Sequence, residues 1–419
     1  MTLADRVTPY RWTVRVGVQL GVLAVAAYLY AVAELAPIGA MPAIAADLHV
    51  SEAHVGMLTA AYAFISVVAT VPLVRWTRRW PRRRAFILTL VCLTVSQALS
   101  ALAPGLGMLA ASRVLCAVTH GLMWAIIVPI GARLVPATHA GRATTAVYVG
   151  TSAALVVGNP LTTAMSQAWG WRPTVAVLAI TAATVTLVAL AVLPAMPVVA
   201  DHDAGTTPRN PKRGHQGRLI VLCGLTLIGV TAHFTSFTFI VPIIRDVVGI
   251  RGPSAAWLLV AYGAFGLVTM ALLARAIDQR LRTAVAGSLG VLCVAFWLLS
   301  VLTGAHSGVV ATVVGACAIV IWGASAAALP PMLQSAAMQA SPGNVEQASA
   351  LYVTAFQVGI LVGSVTGGLV EGHYGISSVV IVSSALFAVT LAGVVFRGDV
   401  FDPLPTEPAC SSELVNRVR

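Results

Sequence analysis

Four ionisable side chains, Glu34, Arg113, His120 and His233, lie deep inside long apolar runs of this sequence. Glu34 is the only carboxylate well within the run from Val14 to Ala46, and an acid buried in such a run points first to function. Depth follows from counting residues to the nearest outer polar break at ~1.5 Å per residue. Glu34 lies thirteen residues before Asp47, His120 thirteen after Gly107 and His233 twelve before Arg245. The three therefore share a level. A carboxylate and imidazoles at one depth make a candidate proton-coupling site, because hydration and a cationic neighbour change how readily such groups hold a proton. Arg113, about two turns outward of His120, is the candidate counter-charge. Each base also has a structural reading: a histidine in an apolar helix can bond a neighbouring helix, and Arg113 can tie backbone carbonyls.

These residues need spans to carry them. The chain is 58% hydrophobic and 9% charged over 419 residues, with a mean hydropathy of +0.90, outside the range of soluble globular domains. Apolar stretches long enough for a ~30 Å hydrocarbon layer fall near 14–46, 53–74, 85–103, 107–132, 143–168, 173–197, 218–244, 254–277, 283–303, 308–332, 347–370 and 376–396. The fold class expected is all-α: a polytopic membrane protein with twelve transmembrane helices. The first run is too long for a signal-peptide core and reads as a retained helix.

Basic residues set the orientation. With the N-terminus inside, the inner segments hold Arg6, Arg11, Arg15, Arg75, Arg78, Arg79, Arg82, Arg83, Arg84, Arg133 and Arg142. Arg209, Lys212, Arg213, Arg218, Arg275, Arg280, Arg282, Arg397, Arg417 and Arg419 fall on the same side, leaving Arg172, Arg245 and Arg251 outside. Both termini are expected in the cytoplasm, and topology explains the net charge of +11. The scattered charge lacks the fingerprint of a nucleic-acid reader. Five cysteines fall within spans and Cys410 in a polar tail, with neither disulfide nor metal-ligand spacing. No nucleotide-binding loop or metal motif suggests an enzyme, and no extra soluble domain suggests a receptor.

The longest polar break, Val198 to Gly217, divides the spans six and six. The expected units are a six-helix bundle at 1–197, a cytoplasmic linker at 198–217, a second bundle at 218–397 and a tail at 398–419. A weak repeat supports them. Met41-Pro42, Leu58 and Ala61-Tyr62 recur as Val241-Pro242, Leu258 and Ala261-Tyr262, while Val157-Gly158 and Trp169-Gly170 recur as Val362-Gly363 and Tyr374-Gly375. Repeated halves in one order at a near-constant offset are the mark of pseudo-symmetric bundles.

Several motifs resemble the major facilitator superfamily, and the resemblance covers essentially the whole chain. They are Ala33 to Gly39, Arg113 through His120-Gly121 to Trp124, Gly158-Asn159-Pro160, Thr231 to Thr235 and Phe356 to Ile360. The nearest likeness is to bacterial proton-coupled drug and sugar efflux proteins. The fourth and seventh spans look most like the branch that exports arabinose-type sugars and thiogalactosides. The resemblance implies a monomer in the bacterial cytoplasmic (inner) membrane. It implies a proton antiporter working by alternating access with no cofactor beyond the proton gradient, its partners being a small-molecule substrate, protons and the lipid bilayer. Multidrug or purine nucleoside efflux is the alternative.

In that family spans 1, 4, 7 and 10 line the central cavity, so Glu34, His120 and His233 would face one another. Tyr30, Trp124 and Ser236 lie about one turn from these three and are candidate substrate contacts; Trp322, Tyr352 and Gln357 are further candidates that also read as packing. The ladder Gly359, Gly363, Gly367 reads first as close helix contact and also as flexibility for rocking. Gating would involve Arg78, Arg79, Arg82, Asp278, Gly158 and Pro160. Here the chain departs from the family, whose loop between spans 2 and 3 carries an acid where Arg78 stands and a glycine where Pro81 stands. The clasp lacks its acid in this loop, although Asp278 with Arg280 keeps one in the other half.

Overall fold

The computed structural model describes residues 13–196, 213–251, 253–304, 308–341 and 344–401. Most of the linker, the tail from residue 402, and Arg6, Arg11, Arg209, Lys212, Cys410, Arg417 and Arg419 lie outside the described residues.

The chain is a bundle of long helices: α1 Val14–Gly39, α2 Glu52–Thr77, α3 Arg82–Ala101, α4 Leu106–Arg133 and a broken α5 over Ala140–Ala153 and Asn159–Trp169. There follow α6 Trp171–Val192, α7 Arg213–Phe237, α8 Pro253–Gln279, α9 Leu281–Leu302, α10 Val309–Ala340, α11 Val345–Tyr374 and α12 Ile376–Phe396. Among the described residues eleven helices are long and apolar enough to cross a membrane; α5 makes up the twelfth in two pieces.

Prolines account for the places where the helices are shorter than the apolar runs. α1 stops at Gly39 and a short helix, Met41–Asp47, begins with Pro42 in its first turn. The equivalent event ends α7 at Phe237, followed by Ile240–Pro242 and a π stretch, Ile243–Val248. The repeated Pro42 and Pro242 thus mark the same break in each half, as a residue without an N–H requires. In α5 the π stretch Ala154–Gly158 directly precedes Asn159-Pro160. Pro160 cannot donate to the carbonyl four residues back, so the ladder slips by one residue there.

The repeated glycines have matching work. Gly170 and Gly375 take φ of 88° and 78°, a region open to glycine, and turn the chain from α5 into α6 and from α11 into α12. Gly359, Gly363 and Gly367 press α11 onto α7: a Cβ on Gly363 would come 2.6 Å from the Thr231 carbonyl oxygen, and one on Gly367 2.4 Å from that of Thr235. α5 lies on α1 in the same manner, since Gly150 faces the carbonyl of Ala24 and Gly158 faces Val32 and Tyr28.

Two large apolar cores result. One joins residues of α7–α12, centred on Phe296, Trp322, Tyr352 and Phe387. The other is built mainly from α1–α6 around Tyr30, Tyr62, Phe86 and Leu122. Between them α5 packs on α8 and α10, and α11 on α2 and α4.

Candidate functional site

Pro37 sits inside α1 and has no N–H for the carbonyl of Ala33, four residues earlier. Arg113 of α4 fills that gap, its Nη1 donating to Ala33 O at 3.2 Å and its Nη2 to Glu34 O at 3.0 Å. Its guanidinium lies 5.0 Å from the centre of the Tyr62 ring, within cation–π range. The Arg113 Nε meets no protein acceptor, and the side chain borders a small cavity shared with Gln97, Ser100, Thr162 and Thr174. The contacts with the two carbonyls match the carbonyl-tie reading of Arg113.

Glu34 and His120 come together. His120 Nε2 stands 3.9 Å from Glu34 Oε2, beyond a direct hydrogen bond but close enough for strong electrostatic coupling. The imidazole is buried, whereas a quarter of the Glu34 side chain, 25%, remains open. The other ring nitrogen, Nδ1, shares a hydrogen bond of 2.8 Å with Tyr62 Oη, which also contacts Cys116 Sγ at 3.3 Å. A base held from behind by a hydroxyl, with a partly exposed carboxyl before it, can pass a proton between two sites while keeping its ring fixed.

His233 belongs to a different group. Its Nδ1 accepts from Trp322 Nε1 at 3.1 Å, its ring stacks on Phe237 with centroids 5.1 Å apart, and Phe234 meets it edge-on at 5.0 Å. Tyr262 closes the cluster, 5.7 Å from Trp322 and 5.9 Å from Phe237. The two groups are pseudo-symmetric counterparts. Phe234 corresponds to Glu34, Tyr262 to Tyr62 and Trp322 to His120, at offsets of 200, 200 and 202 residues. One half has a carboxyl and an imidazole at positions 34 and 120; the other has Phe234 and Trp322 at the matching places, with His233 beside them.

Trp124 joins the halves. It meets His120 edge-on at 6.2 Å and stacks on Tyr148 at 5.8 Å. Tyr148 Oη donates to Gln334 Oε1 at 2.6 Å, and Gln334 Nε2 donates to Ser349 Oγ at 2.8 Å and to the carbonyl of Trp124 at 3.4 Å. One buried amide thus ties α4, α5, α10 and α11.

The other candidates are placed as follows. Tyr30 donates its hydroxyl to Thr89 O at 2.6 Å and packs edge-on against His120, so it backs the imidazole. Ser236 is fully buried in the α7–α12 seam, donating to Ser383 Oγ at 2.7 Å; a turn's spacing from His233 does not put it on the same face. Tyr352 donates to Pro330 O at 3.0 Å. Gln357 is buried on α11. Sequence reasoning passed over Tyr62, Tyr262, Tyr148 and Gln334, although the repeated Ala-Tyr pair at 61–62 and 261–262 was a signal for the first two.

At the arginine-rich end, ion pairs cross between the halves. Arg82 and Arg133 both pair with Glu346 at the start of α11, the latter at 2.9 Å. Arg142 at the start of α5 has its Nε 3.1 Å from Asp278 Oδ2; neither atom is aligned for a hydrogen bond, so this contact is charge attraction. Asp278 also accepts from the Gly141 amide at 2.7 Å. The segment with Arg78 in place of the family's acid thus meets a carboxylate, Glu346, from the other half through Arg82. Arg78 and Arg79 are exposed, and Arg78 contributes its carbonyl to Arg82. Among the described residues the pairs at the opposite end, Arg172 with Asp47 and Arg245 with Asp246, stay within one half.

A profile of the Major Facilitator Superfamily matches residues 23–364. The chain belongs to this superfamily. Two relatives are 51% identical over 394 and 392 residues, 93% of this chain and 94% of theirs; both are named chloramphenicol efflux pumps, from Mycobacterium tuberculosis strains CDC 1551 / Oshkosh and H37Rv. Among solved structures, the human organic anion transporter of the superfamily aligns with a TM-score of 0.70 at 16% identity, covering 91% of this chain and 99% of its own. The E. coli fucose:proton symporter also reaches 0.70, at 17% identity and 91% and 98% coverage. As a major facilitator the chain is a multi-pass membrane transporter of small molecules and not an enzyme.

Proposed function

We propose that this transporter exports a small, uncharged aromatic drug of the chloramphenicol type in exchange for protons. The carrying observation is the identity of 51% over 93% of the chain with two proteins named chloramphenicol efflux pumps. The division of the site supports it. The aromatic wall of Phe237, Trp322 and Tyr262 suits a flat nitrophenyl ring, and the Glu34–His120 wall is left to handle the proton.

In this reading the arginine-rich end is cytoplasmic, both termini are inside, the monomer sits in the bacterial inner membrane, and the two bundles are 1–197 and 218–397. Clasps joined at that end and, among the described residues, not at the other correspond to the outward-facing arrangement. Glu34 then takes a proton from outside and His120 tunes it. Separation of the clasps exposes the site inward, where the proton leaves and the drug enters. The likeness of α4 and α7 to the sugar-efflux branch favours a second reading, export of an arabinose-type sugar or thiogalactoside, since sugar rings also stack on aromatic faces.

Purified protein in proteoliposomes with an imposed proton gradient decides between them. Substrate-induced proton movement is expected with chloramphenicol and absent with arabinose or a thiogalactoside. A response to the sugars alone would replace the drug reading, and silence across the panel would remove both.

A further inference from the structure

On the lipid-facing surface at the arginine-rich end, α9 and α12 leave a groove of about 420 Å³ between Arg282, Thr283, Ala286, Gly287, Val394 and Val395. A Cβ added at Gly287 or Gly290 would meet nothing within 4 Å, so among the described residues no atom fills the space beside these two positions. Further along the same face of α9, Val291 and Val294 are exposed. From Arg282 to Val294 is about 18 Å along the helix, the reach of one acyl chain. The head of the groove is basic. Arg282 donates to Val395 O at 3.4 Å and lies against Gly398; Arg280 stands two residues before Arg282 and Arg397 directly before Gly398. Asp278, two residues before Arg280, is turned to Gly141 and Arg142.

The pseudo-symmetric half shows what an ordinary seam looks like. Arg83 of α3 reaches the Leu190 carbonyl of α6, as Arg282 reaches across to α12. One turn on, however, α3 has Ile87 and Leu88 where α9 has Ala286 and Gly287, and Ile87 packs against the core. The α3 seam thus has a large residue, Ile87, packed at this level, where the small Ala286 and Gly287 leave its counterpart open beneath an arginine.

We propose that the α9–α12 groove is a binding site for an anionic phospholipid. Its phosphate lies against Arg282 and one acyl chain runs along Gly287 and Gly290. A basic pocket between helices at the membrane surface recognises an anionic headgroup, and the open strip selects a molecule that brings its own chain.

Native mass spectrometry of the purified full chain tests this, with phosphatidylglycerol, cardiolipin and phosphatidylcholine of matched chains in equal amount. The parent should retain the anionic lipids over phosphatidylcholine. Arg282→Gln should cut that preference about fivefold, the effect of one basic residue near an anionic surface. Gly287→Leu should reduce retention of lipid whatever its headgroup, Arg83→Gln should change neither, and inorganic phosphate should not displace the bound lipid. Equal retention of the three lipids by the parent, or an unaltered preference in Arg282→Gln, would overturn the proposal. Unchanged thermal unfolding of the two surface variants separates loss of the site from loss of the fold.

Discussion

Arg113 completes a hydrogen bond that Pro37 makes impossible: the Ala33 carbonyl, deprived of its helical partner, accepts from the guanidinium 3.2 Å away. The charge near Glu34 is thus fixed by a defect in α1. Removing the donors with Arg113→Met should cost about 1–3 kcal/mol for each carbonyl left unpaired, seen as a lower unfolding temperature in detergent. Pro37→Ala restores an amide for Ala33, so the double variant should recover part of that loss. Strictly additive effects in the cycle would separate the two residues.

Replacing Glu34 with Gln keeps the shape of the carboxyl and removes its charge change. Gradient-driven efflux should fall to the leak of empty liposomes, while exchange of labelled for unlabelled drug continues. Because the proposed drug is uncharged, each proton entering carries a net charge inward. A membrane potential, negative inside and imposed without a pH difference, should therefore drive efflux in the parent and not in Glu34→Gln. Transport indifferent to potential would count against a neutral substrate exchanged for protons.

Two buried tyrosines separate a working hydroxyl from a structural one. Tyr62→Phe deletes the partner of His120 Nδ1 and should lower kcat about tenfold or more with little change in KM. Tyr30→Phe loses a bond to the Thr89 carbonyl and should lower stability by about 1 kcal/mol with transport kinetics near those of the parent. The reverse pattern in steady-state efflux assays would exchange their roles.

Much of this was legible in the sequence because membrane spans advertise themselves by length and composition, and because a carboxylate in an apolar run has few explanations. The break in α5 and the early ends of α1 and α7 were less visible: a hydropathy window averages over Pro160, Pro37 and Pro242, whereas a backbone ladder does not. The separation of His233 from Glu34 was invisible to depth counting, which fixes height along a helix but not the azimuth at which a side chain leaves it. Ser236, placed by a spacing of about one turn from His233, meets Ser383 of α12 instead. Glu346 escaped notice as a clasp partner because a motif read along one loop cannot show an acid arriving from the other half.

The clasps have opposite polarity. Arg142 and Glu346 hold matching positions, 204 residues apart, at the starts of α5 and α11, and each meets the opposite charge. Asp278→Arg places two bases together and should lengthen the distance between spin labels at Thr138 and Gln279. Adding Arg142→Asp should bring it part of the way back. Recovery stays partial because the amide of Gly141 has lost its acceptor. No lengthening in the single variant would mean that this pair does not close the gate.

α11 is an unbroken helix seated on α7 through three glycines, while α5 carries a π stretch between its two pieces. These helices run from the clasps to the level of the site, one as a stiff arm and the other as a jointed arm. A load on the stiff arm travels its whole length, whereas the joint lets the near end of α5 swing before its far end follows. The clasps should therefore release in order, Asp278 from Arg142 first and Glu346 from its two arginines second, and paired labels read on one clock should show α5 parting from α8 before α11 parts from α2.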